Sequence, residues 1–156
     1  EFQPPPDAPG GFFRYPNSMK SIRVLIVDDL PQVREGLATV LTLAGSVGET
    51  RIEISGEASN GIAAIHQARD LQPDVVLMDL EIPGLNGYAA TRQIKIEQPA
   101  IRVVILSIHD DPESQQRARA AGADGFVTKG DKIENLLRAI LGSPGTINST
   151  HSQEGE

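Results

Sequence analysis

The chain has 156 residues, 39% of them hydrophobic and 22% charged, with a formal net charge of -7 and no cysteine. That length fits one domain with a true core, and the acidic balance argues against nucleic-acid binding by this chain alone, which needs a basic footprint. The lack of cysteine excludes disulfides and thiolate metal sites and points to a cytoplasmic, reducing setting, and no apolar run is long enough to cross a bilayer.

Residues 1–18 (EFQPPPDAPGGFFRYPNS) are rich in Pro and Gly and lack periodicity, so they read as a flexible leader. With Met19 as a natural start, a vector-derived leader is the first reading and a native Pro-rich extension the alternative. Ile22–Val27 is a strongly apolar run that ends in Asp28-Asp29, too short for a signal peptide and suited to a strand buried on both faces. Pro31 opens helix 1, with Val33, Leu37, Val40, Leu41 and Ala44 on one face and Gly45 as its stop. The stretch from Gly45 to Arg51 is a long connection. Strand 2 covers about Arg51 to Ala58. Asn60 caps helix 2, whose face is Ala64, Ile65, Ala68 and Leu71. Strand 3 ends at Asp79, and Pro83-Gly84 with Asn86-Gly87 makes a loop before helix 3 at about Tyr88 to Glu97. Ile101–Leu106 is strand 4, ending near Ser107. Asp111-Pro112 opens helix 4, which has almost no apolar face and closes at Gly122. Asp124–Val127 is strand 5. Asp131 caps helix 5, with Glu134 completing a capping box and Ile133, Leu136, Leu137, Ile140 and Leu141 as the buried face. Gly142 to Glu156 reads as a flexible tail or the start of a linker.

Strand and helix patterns thus alternate five times. Right-handed crossovers place the helices on both faces of a parallel sheet. The expected fold is α/β, a doubly wound five-stranded sheet of order 2-1-3-4-5, flavodoxin-like. In such a sheet ligands bind beyond the carboxyl ends of the strands. That single rim receives Asp28, Asp29, Asp79, Ser107 and Lys129. Three carboxylates in one cleft repel, so protons or a cation must join them. A hard divalent ion with oxygen ligands suits them, and Mg²⁺ fits because it needs few carboxylates and accepts a phosphate oxygen. Asp79 is the nucleophile candidate, since a carboxylate can attack phosphorus to form an acyl phosphate. Mg²⁺, Lys129 and Ser107 with backbone N–H groups would then cover the equatorial phosphoryl oxygens. Taken singly, the acidic pair is a helix cap, Asp79 turn chemistry, Lys129 a solvated charge and Ser107 a loop hydroxyl. Four strand ends in the right order outweigh those readings.

The segments VLIVDD (24–29), PDVVLMDLEIPGLNGYAA (73–90), VVILSIHDD (103–111) and AAGADGFVTKGD (120–131) resemble the receiver domain of bacterial two-component response regulators. The resemblance covers residues 21–141, within a receiver unit of 19–141. It implies Asp79 as phosphoacceptor, Asp29 as direct Mg²⁺ ligand, Asp28 as a ligand through water and the Glu81 backbone carbonyl as a further ligand. It implies Ser107 and Phe126 as the switch pair and Lys129 as the phosphoryl-binding cation. Many receivers have proline after the lysine, where this chain has Gly130. The set Ser107-Ile108-His109 with GFVTKG is most similar to receivers that carry a C-terminal helix-turn-helix transcription domain. A sensor histidine kinase is the implied phosphodonor, a homodimer on phosphorylation the implied assembly, and DNA a partner only through an output domain.

Two other classes compete. A phosphatase with an Asp nucleophile also forms an aspartyl phosphate, but its second Asp two residues on is Glu81 here. A degenerate receiver would serve only protein contacts, against which the intact acidic set and Lys129 count. A nucleotide site is excluded because no Gly-rich loop follows strand 1. Of the histidines, His66 reads as surface and His151 as tail, whereas His109, with Glu81, is a candidate tuner of dephosphorylation.

Overall fold

The computed structural model describes residues 20–45 and 50–142. The leader, most of the tail, His151 and positions 46–49 of the connection between helix 1 and strand 2 lie outside the described residues. In chain order the elements are β1 Lys20–Val27, α1 Pro31–Gly45, β2 Thr50–Ala58, α2 Gly61–Leu71, β3 Val75–Asp79, α3 Gly87–Glu97, β4 Arg102–Ser107, α4 Pro112–Ala120, β5 Gly125–Thr128 and α5 Ile133–Leu141. The sheet order is β2-β1-β3-β4-β5, and every pairing is parallel. This is the flavodoxin-like α/β fold that the alternating pattern predicts.

Alternation along the inner strands divides the core into two layers. Leu25, Val27, Val76, Met78, Val103 and Ile105 join Ala64, Ala68, Ala90, Ile94 and Ala118 from α2, α3 and α4. Val24, Ile26, Val75, Leu77, Val104 and Leu106 join Leu41 of α1 and Leu136, Ala139 and Ile140 of α5. Parallel strands covered on both faces must be apolar throughout, and all five residues of β3 are buried. Register then aligns the strand ends: Val27 lies beside Met78, Asp79 beside Leu106, and Ser107 beside Thr128.

Asn60 caps α2 by accepting from the Ala63 N–H at 2.8 Å, and Asp111 caps α4 with Pro112 next in line. Three expectations need correction. Asp131 does not cap α5. The cap position is Lys132, with no side-chain hydrogen bond. Asp131 sits one residue too early, where its carboxylate accepts from the Lys132 N–H at 2.7 Å and the Asn135 amide at 2.9 Å, and Glu134 completes no box. Val40 and Leu141, placed on buried faces by periodicity, are 44% and 45% exposed: Val40 lines an open groove with Leu37 and Leu136, and Leu141 is the last residue of α5. Asn86, read as loop, is the N-cap of α3 and accepts from the Ala89 N–H at 2.9 Å.

Candidate functional site: an acidic pocket with one lysine

β1 ends immediately before Asp28-Asp29, β3 ends on Asp79, β4 on Ser107, and β5 one residue before Lys129. The parallel register therefore collects these side chains at the carboxyl end of the sheet. Carboxylate oxygens of Asp28, Asp29 and Asp79 lie within 4.8 Å of one another. Asp28 and Asp79 are buried and Asp29 is exposed. The Lys129 ammonium is 2.9 Å from Asp28 and 3.4 Å from Asp79. One positive charge thus faces three carboxylates.

The backbone holds these groups tightly. Asp28 Oδ1 accepts from the Leu30 N–H at 3.0 Å, an Asx turn that starts α1. Arg34 donates to the Asp28 carbonyl at 2.7 Å and also to Glu57 at 2.8 Å. Asp79 Oδ1 accepts from the Glu81 N–H at 3.2 Å. Gly87 permits the return of α3 under the site, for a Cβ there would stand 2.5 Å from the Asp79 carbonyl oxygen. After Lys129 the chain turns through Gly130 at φ 88°, the left-handed region that glycine enters without strain.

Electrostatics follow from burial. Desolvation pushes the Asp79 carboxyl above its ordinary value, and the Asp28 charge adds to that rise. The Glu81 N–H and Lys129 oppose it but do not cancel it. At Lys129 burial works against the charge. The hydrogen bond to Asp28 and the fields of Asp79 and Asp28 outweigh it, so the ammonium is held above its usual range. Buried acid that one lysine leaves undercompensated is a donor set for a hard divalent cation.

Ser107 is buried, and its Oγ accepts from the His109 N–H at 3.0 Å. That leaves its own hydroxyl proton available. The Lys129 N–H donates to the Ser107 carbonyl at 2.8 Å, tying the ends of β4 and β5. Phe126 is partly buried beside Ile105 and packs against the layer that contains Ala118. His109 Nε2 lies 2.6 Å from the Glu81 carboxylate, so the pair bridges the β3–α3 and β4–α4 loops across the rim. His66 is exposed on α2.

The pocket brings together Asp28, Asp29, Asp79 and Lys129, and Ser107 ends the strand beside that of Asp79. Arg34, Asn86 and Gly87 were not singled out as site residues from the sequence. The Asn86-Gly87 pair carries a turn signal that is also a cap signal, whereas Arg34 reaches back to the Asp28 carbonyl and across to Glu57, contacts that no cap or periodicity rule marks.

A model of the response regulator receiver domain family matches residues 24–141. The chain is 40% identical to the response regulator GacA of Pseudomonas aeruginosa over 119 residues, 76% of this chain and 53% of that protein. It is 34% identical over 117 residues to the nitrate/nitrite response regulator protein NarL of Escherichia coli K12, 75% of this chain and 52% of that one. The solved signal receiver domain of a NarL response regulator from Mycobacterium tuberculosis superposes with a TM-score of 0.71 at 32% identity, covering 78% of this chain and 94% of that one. The chain belongs to the response regulator receiver domain family and is of the GacA/NarL type. It spans about half the length of the curated relatives it matches. Among the described residues no helix is long and apolar enough to cross a membrane.

Proposed function

We propose that this domain is a phosphorylation switch in the cytoplasm: Asp79 takes a phosphoryl group from a phosphohistidine of a sensor kinase, and the change of shape controls an output, transcription in a longer protein. The observation that carries this reading is the juxtaposition of Asp79 with two further carboxylates and the Lys129 ammonium in one pocket. An Asp79 oxygen attacks phosphorus, the bond from phosphorus to the donor imidazole breaks, and the acyl phosphate remains on Asp79. Asp28, Asp29, Asp79 and the Glu81 carbonyl are assigned to Mg²⁺, which when bound supplies positive charge at a phosphoryl oxygen. Lys129 leaves its ion pair with Asp79 to meet a second oxygen. The free Ser107 proton meets a third.

Drawing Ser107 inward moves the β4–α4 loop and vacates space for Phe126, so phosphate favours one of two arrangements of α4 and β5. The domain turns over no separate substrate. Return to the resting state is hydrolysis by water entering past Glu81 and His109, whose bridge tunes that rate. DNA contacts belong to an output domain beyond this chain, and a homodimer forms on phosphorylation.

The test is incubation with acetyl phosphate and Mg²⁺ followed by intact mass. One stable phosphoryl group is expected on the parent and none on Asp79→Asn. Rapid consumption of the donor without accumulation supports the phosphatase reading instead, and no reaction supports a degenerate receiver.

A further inference from the structure

Little apolar area holds α4 to the domain. Of its nine residues only Ala118 is buried. Its other attachment runs through one aromatic side chain, Tyr88, in the first turn of α3. The Arg117 guanidinium lies 4.2 Å from the Tyr88 ring centroid, well within cation–π range. The Tyr88 hydroxyl donates to the Ser114 carbonyl over a long 3.4 Å. Among the described residues Arg117 has no acidic partner, so the ring is its principal contact.

The other end of this attachment is the phosphoacceptor. Tyr88 follows Gly87, the residue that rests directly on the backbone of Asp79 and Leu80. Tyr88 packs against the apolar layer that includes Ala118, as Phe126 also does. With Glu81, His109 and Arg117 it lines one rim pocket of about 230 Å³. The segment that follows Asp79 and the helix expected to respond to it thus meet at the Tyr88 ring.

We propose that Tyr88 and Arg117 form a latch that holds α4 in its resting position and sets how readily phosphorylation moves it. The inference rests on the reading of Asp79 as phosphoacceptor. In the arrangement seen here Lys129 is engaged by Asp28 and Asp79, and the latch is read as holding α4 in that arrangement. A phosphoryl group that draws Ser107 inward pulls the Asp111 cap with it, and α4 must then slide on the Tyr88 ring or leave it. A stronger latch widens the gap between the two states, and a ligand moves the equilibrium only by its differential affinity. Tyr88 and Arg117 are positioning residues, because neither touches the reacting atoms.

The experiment uses the full chain. Hydrogen exchange of residues 112–120 is measured without metal or phosphoryl mimic in the parent, Arg117→Gln, Tyr88→Leu and the double variant. Each single change should speed α4 exchange about two- to fivefold, the size of an exposed cation–π contact. The double variant should add nothing to the larger single effect, because one contact is removed twice. Exchange in α2 should not change. Beryllofluoride with Mg²⁺, as the phosphoryl mimic, should then bind each variant tighter by the same factor, and Tyr88→Phe should show a smaller gain. Arg117 is exposed, so Arg117→Gln reports even if Tyr88→Leu folds poorly. Unchanged α4 exchange in Arg117→Gln overturns the latch, as do additive effects in the double variant. Faster exchange with unchanged beryllofluoride affinity also overturns it, for the contact would then be structural only. Failure of the parent to bind beryllofluoride defeats the phosphoacceptor reading itself.

Discussion

Helices α4 and α5 flank β5 and are each nine residues long, yet they are held in opposite ways. α5 buries Leu136, Ala139 and Ile140 against Val104 and Val127, while its N-cap, Lys132, makes no side-chain bond. α4 buries Ala118 alone, but its start is fully furnished. Asp111 accepts from the Ser114 N–H at 3.0 Å and the Ser114 hydroxyl at 2.9 Å, which holds the Asp111 carboxyl below its ordinary value. Glu113 in the first turn and Arg117 and Arg119 in the last suit the helix dipole. One helix is anchored by its face and the other is formed by its ends. A helix formed by local signals and held by little apolar area opens and shifts at small cost, which suits the element next to Ser107 for a moving role.

The largest expected effect separates the two helices directly. Ile140→Ala should destabilise the domain by about 2–5 kcal/mol, the range for truncating a buried aliphatic side chain, whereas Gln116→Ala on the exposed face of α4 should stay within about 0.5 kcal/mol. Urea melts of both variants decide it, and comparable losses would erase the contrast. Mg²⁺ should next stabilise the whole domain, by about 2.7 kcal/mol at a hundredfold excess over its Kd. An Asp29→Ala variant with an undiminished response would place the cation elsewhere.

Beryllofluoride with Mg²⁺ should change hydrogen exchange across residues 107–130 more than across 133–141 or 33–70. Differences concentrated in α1 and α2 would move the output surface to the other side of the sheet. The smallest effect concerns Asp79. Its folded-state pKa is raised, so ionisation costs stability as pH rises above the ordinary 3.8, and the cost is complete above the raised value. In metal-free buffer Asp79→Asn should therefore melt above the parent near pH 7, with the gap closing in acid. Thermal scans at several pH values would contradict this if the variant melted lower throughout.

What could be read from the sequence is what short-range chemistry controls. Apolar runs marked β1, β3, β4 and β5, and each led into a residue with chemistry, so Asp28, Asp29, Asp79, Ser107 and Lys129 were legible as one rim. Asn60 and Asp111 announced their helices because a cap bonds N–H groups only three residues away. Local rules failed where a single-residue offset or a distant partner mattered. The α5 cap fell on Lys132, one residue past Asp131, and periodicity could not say that Val40 and Leu141 would stay half exposed. The Arg34–Glu57 pair 23 residues apart, the Glu81–His109 bridge 28 residues apart and the Tyr88–Ser114 contact 26 residues apart were decided by tertiary structure alone. Such pairs depend on where parallel strands bring their loops, and no spacing in the chain encodes that distance.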